Sequence, residues 1–192
     1  MSDGEYQTLR SELLHSYTIV DSSRNMLYVT VSCMLAFAVT NDDIELYLLP
    51  FAVIIPVYLI AINYTYDMYR IGTYISVFGE GPASDYKWES RQLVLNKQKD
   101  HAMPRQAKMF HVPYISLGTA CIYLFCLSFD FHSLSLSSYL CLIFGILLYF
   151  LLIAIFRYYG DMLSVQQKYL EGWMNVKDTE VDNIDSVFTP SE

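Results

Sequence analysis

Basic residues are scarce in this chain: twelve Lys and Arg stand against twenty Asp and Glu, a net charge of -8 over 192 residues. Binding to a phosphate backbone needs a surplus of cations on one face, so nucleic acid is not an expected partner. The first 24 residues lack the basic start, apolar core and small-residue site of a secretory signal peptide, and no cleavage is expected there. The four cysteines, Cys33, Cys121, Cys126 and Cys141, lie inside apolar runs, where each behaves as a small hydrophobe rather than half of a disulfide. The histidines His15, His101, His111 and His132 have no mate at the i, i+4 spacing of a helical metal site. No nucleophile elbow, P-loop or zinc signature occurs. Glu89, Asp100 and His101 gather acid and base in one loop, yet charge-rich loops are ordinarily solvated surface. No catalytic, cofactor-binding or metal residue is assigned, no cofactor is expected, and the chain does not read as an enzyme.

What is abundant is apolar. Hydrophobic residues make up 54% of the chain and the mean hydropathy is +0.28, above what a water-soluble domain usually carries. Four apolar runs recur, at 26–40, 46–66, 112–129 and 139–159. At ~1.5 Å per residue the second and fourth reach roughly 31 Å and the third roughly 27 Å, near the hydrocarbon thickness of a bilayer. The first reaches only about 22 Å, and Arg24 is expected to snorkel and lengthen it. None carries an ionisable residue in its centre, which argues against a proton-coupled path. Asn63, Arg157 and Asp130 are the nearest polar candidates, all terminal.

The charges set an orientation. All twelve Lys and Arg fall before the first run, between the second and third, or after the fourth, while the segments 41–45 and 130–138 carry acids and no base. The positive-inside rule reads this as four crossings with both termini cytoplasmic. Tyr58, Tyr64, Tyr66, Tyr69 and Tyr74 are then expected near the headgroups, with Asp67 and Arg70 just beyond. Pro56 stands within the second span and is expected to shape rather than gate it. Ser32, Ala36 and Thr40, and Ser116 with Ala120, are small residues at spacing four that suit close helix approach.

Beyond the spans, apolar stripes continue at helical spacing. Tyr6, Leu9, Leu13, Tyr17 and Val20 precede the first. Met68, Ile71, Ile75 and Phe78 follow the second, and Met162, Val165, Tyr169, Trp173 and Val176 follow the fourth. They predict cytoplasmic helices over 5–24, 67–78 and 160–176, with Gly160 at a break and a further helix over 85–103 after the stop at 79–82. Residues 177–192 read as an acidic tail without order. The expected architecture is all-α, one membrane domain over 1–176 with four transmembrane helices, and the stripes form either a cytoplasmic stalk or interfacial helices.

Tyr6-x-x-Leu9-Arg10-x-Glu12, Ile71-Gly72-x-Tyr74-Ile75 and Trp88-Glu89 together resemble a group of small bacterial membrane proteins of uncharacterised function. The likeness covers about the first half of the chain and implies a bacterial plasma (inner) membrane home. Pairing of Arg10, Glu12, Arg70 and Glu89 around Trp88 would suit such a stalk. The functional expectation is an anchor, sensor or scaffold docking a cytoplasmic partner or a second copy. The alternatives are an oligomeric pore or membrane-perturbing effector, and a lipid-modifying enzyme or small solute carrier.

Overall fold

The computed structural model describes residues 3–41, 43–79, 110–129 and 136–188. Among the described residues the chain is helical and no strand occurs. Helix α1 spans Asp3–Asn41, a 3-10 helix follows at Ile44–Leu48, and α2 spans Phe51–Tyr74 before widening into π-helical turns at Ile75–Gly79. Helices α3, α4 and α5 are Val112–Ser128, Leu136–Tyr159 and Met162–Phe188.

Helix α1 merges the two segments expected at 5–24 and 26–40, because no Gly or Pro lies between Glu5 and Asn41 to break it. Its buried positions are Leu13, Ser16, Val20, Leu27, Val31 and Ala38, a three-four alternation that keeps one line facing inward. Tyr17, expected on that line, is 50% exposed, and the small Ser16 takes the inward place.

The run at 46–66 is not one helix. Pro50 brings no N–H to the carbonyl of Leu46 and its ring would crowd it, so Leu46 accepts from Leu49 instead, at 3.2 Å. The preceding 3-10 turn is capped by Asp43, whose carboxylate accepts the Glu45 N–H at 3.2 Å. The carbonyl of Pro50 then accepts the N–H groups of Val53 and Ile54 at 3.0 and 2.9 Å, starting α2. Gly160 lies at the expected break between α4 and α5. A Cβ there would collide with the Phe156 carbonyl, so only glycine fits this close return.

Helix α5 runs to Phe188, into the stretch read from composition as an acidic tail. Val181, Ile184 and Phe188 continue a three-four spacing. The helix expected over 85–103, with Trp88 and Glu89, lies outside the described residues, as do Asp100, His101, Asp130 and His132.

The described residues pack as two compact units. The first joins α1 up to Thr18, α2 from Tyr64 with its π-helical turns, and α5. Its core is Leu13, Met68, Ile71, Ile75 and Met162. The second joins α1 from Ile19, the 3-10 helix, α2 up to Asn63, α3 and α4. Its core includes Leu27, Val31, Phe51, Ile54, Tyr58, Tyr114, Cys121, Phe125 and Leu152, each with no exposed surface. Tyr114, Gly118, Cys121 and Phe125 form the inward line of α3. A side chain at Gly118 would run into Leu152 and lie 3.4 Å from Phe51, so its absence lets α3 approach α4 and α2 closely.

Two stretches, Ile44–Gly79 and Ser138–Thr179, contain helix long and apolar enough to cross a membrane, and Val112–Ser128 is a shorter apolar helix. Of the small residues expected at helix contacts, Ser32, Ala36, Thr40 and Ser116 are exposed in the second unit. Gly118 does the close-packing there instead.

Candidate functional site

The second unit has one buried polar cluster among its described residues, centred on His111. This residue precedes α3 in an αR backbone conformation, with Pro113 in the first turn. Its carbonyl accepts the Ile115 N–H at 3.2 Å, while its side chain turns into the core and is 1% exposed. Nδ1 lies 2.5 Å from the Tyr58 hydroxyl. Tyr58, from α2, stacks on Tyr114 with ring centroids 4.5 Å apart. Phe110 and Phe156 stand edge-on to the imidazole at 5.2 and 5.3 Å, and Arg24 and Tyr28 of α1 lie within electrostatic reach of Tyr114. All four helices of this unit therefore contribute to the cluster.

Burial holds the imidazole below its ordinary pKa of 6.5, because the charged form loses its hydration. The Gly160 carbonyl acts in the opposite sense, more weakly. It makes no bond of good geometry with Nε2, which has no partner, and the Tyr114 hydroxyl has none either. A buried polar atom without a hydrogen bond costs about 1–3 kcal/mol. The cluster is thus a neutral histidine, fixed on one nitrogen by a phenol, with two polar functions open. Among the described residues the Tyr58 phenol is hydrogen-bonded to the His111 ring, and no Ser hydroxyl or Cys thiol is.

The first unit has an aromatic clasp. The Trp173 indole N–H donates to the Arg70 carbonyl at 3.2 Å, and its ring meets Tyr74 edge-on at 5.1 Å and Phe78 at 6.3 Å. Lys177 Nζ donates to the Val77 carbonyl at 2.9 Å. These donors come from α5: the Arg70 carbonyl of α2 also accepts the Thr73 hydroxyl at 3.0 Å, and Val77 lies in the π-helical turns that end this stretch, where a cation is favoured. The Tyr74 hydroxyl donates to Glu5 of α1 at 2.9 Å, so the three apolar stripes of this unit are tied together by polar bonds as well.

The sequence singled out different residues. Tyr58, expected among the headgroup tyrosines, is fully buried because its ring stacks on Tyr114 and its hydroxyl meets His111. Arg70 pairs with Asp67 at 3.0 Å, both about half exposed; Trp88 and Glu89, its expected companions, lie outside the described residues. Arg24 pairs with Asp21 at 2.5 Å. His15, Asn63 and Arg157 are exposed. No group of three His, Cys, Asp or Glu side chains able to hold a metal occurs among the described residues. Pair spacing, the signal of a helical metal site, does not mark His111. The signal for it is positional, a histidine at the mouth of an apolar run in the string Phe110-His111-Val112-Pro113-Tyr114.

Searches with this chain match no protein-family model, no curated protein and no solved structure.

Proposed function

We propose that the chain is a non-enzymatic, four-span protein of a bacterial plasma membrane, with both termini cytoplasmic. In this reading the first unit is a helical platform that docks a cytoplasmic partner or a second copy, as an anchor, sensor or scaffold. The observation that carries it is the surface of the second unit. Val29, Phe37, Tyr123, Leu127, Leu147 and Phe150 are each at least 58% exposed, and they come from α1, α3 and α4. Large apolar side chains exposed on three helices to this extent suit lipid better than water. Closed packing around Gly118 and Leu152 favours an anchor over a pore.

The docking role rests on Leu14 and Tyr17, one helical turn apart on α1 and 54% and 50% exposed on the first unit. A photocrosslinking residue at position 17, irradiated in the native membrane, is expected to give one adduct of defined mass, either twice the chain or the chain plus one protein. The same residue at position 37 is expected to give lipid adducts. Absence of any protein adduct at position 17 removes the docking role. Dye release from vesicles holding the purified protein would replace it with the pore.

A further inference from the structure

The second unit carries a groove of about 480 Å³ between the start of α2 and the start of α4, within the size range of small-molecule and acyl-chain sites. Ala52 and Pro56, one turn apart, line it from α2, and Cys141, Phe144 and Leu148 line it from α4. Along α4 this face runs seven residues, about 10 Å, roughly a third of the hydrocarbon thickness. Its walls are apolar except at one end, where Glu45 stands. Glu45 is exposed, and its Oε1 accepts the Cys141 thiol at 3.5 Å. Asp43, also exposed, sits two residues away and is fixed as the cap of the 3-10 helix.

We infer that this groove binds one lipid, its acyl chain along Ala52, Pro56, Phe144 and Leu148 and a primary-ammonium headgroup on Glu45. The occupant follows from charge complementarity. The segment 41–45 has three acids and no base, so an anionic headgroup is repelled there, while an ammonium offers up to three donors to the carboxylate. A choline headgroup has the charge and no N–H to give. The assignment rests on the membrane reading above.

The test uses the whole chain purified in a non-ionic detergent and offered dioleoyl phosphatidylethanolamine, phosphatidylcholine or phosphatidylglycerol, with bound lipid counted by native mass spectrometry. Phosphatidylethanolamine is expected to be retained about tenfold more tightly than the other two, the effect of one charge-assisted bond. Glu45→Gln, a change at an exposed position, is expected to erase that preference and keep the fold. Ala52→Trp is expected to fill the groove and abolish retention of all three. Equal retention of the three lipids by the native chain overturns the inference, and so does an ethanolamine preference that survives Glu45→Gln. Failure of the native chain to float with vesicles would instead defeat the membrane reading itself.

Discussion

The two units bury the same kind of surface and expose opposite kinds. In the first, the inward line of Leu13, Met68, Ile71, Ile75 and Met162 is balanced by an exterior bearing Asp3, Glu5, Glu12, Lys168, Glu171 and Lys177. In the second, an equally apolar core lies beneath an exterior that is also apolar, with Leu147 60% and Phe150 66% exposed on α4. Helices α1 and α2 contribute to both units, and the inward line of α1 keeps its three-four spacing throughout. The periodic stripe therefore identifies the core, and the opposite face identifies the solvent.

The sharpest way to break this comparison is to place the same charge on both exteriors. Leu147→Lys is expected to destabilise the second unit by about 3 kcal/mol, the cost of a lysine near the centre of a membrane helix. Leu14→Lys, at a similarly exposed position of the first unit, should stay within about 0.5 kcal/mol. Thermal unfolding in lipid nanodiscs reads both, and equal effects would mean that the two exteriors face the same medium.

The next effect is confined to the first unit. Trp173→Ala removes the indole donor to Arg70 and two ring contacts. Because the side chain is only half-buried, the expected loss is about 2–3 kcal/mol, less than the ~3–5 for a fully buried tryptophan. Hydrogen exchange should quicken in α5 and remain unchanged in α3 and α4.

A smaller effect belongs to the second unit alone. His111 has a lowered pKa in the folded chain, so protonation favours states in which the ring is solvated. Its contribution is fully present above the ordinary value of 6.5 and is lost as the pH falls from there toward the folded value. The groups facing the ring are Tyr58, Phe110, Phe156 and the Gly160 carbonyl, none of them a carboxylate. Thermal midpoints taken from about pH 8 to about pH 5 should fall for the native chain and flatten for His111→Gln. The smallest effect is at Asp67, whose exposed pair with Arg70 should be worth about 0.2–0.5 kcal/mol, as measured by Asp67→Asn in the same unfolding assay.

The sequence made the stripes legible because helical periodicity survives whatever surrounds the helix. Met68, Ile71 and Ile75 are buried as their spacing predicts, and Gly160 breaks the chain as expected. The tight sites were less legible. Ser16 rather than Tyr17 faces inward, since a 3.5-residue repeat fits either choice and packing decides. Gly118 sits in a run with no period of its own, and its role depends on Leu152, 34 residues away. His111 and Tyr58 are 53 residues apart, and nothing local in either segment indicates that they meet. In the tail two signals compete, an acidic composition and the helical spacing of Val181, Ile184 and Phe188, and α5 extends to Phe188.

The contrast between the two exteriors can be read from cysteines already present. Cys33 and Cys126 are exposed on the second unit, and Leu14→Cys places a third thiol on the first. Intact membranes, opened to give access from both sides, are treated with a membrane-impermeant maleimide and the adducts are counted by mass. Position 14 is expected to label rapidly, and Cys33 and Cys126 only after denaturation, because in the proposed membrane reading lipid rather than water covers them. Labelling of Cys33 and Cys126 as fast as position 14 would contradict the account.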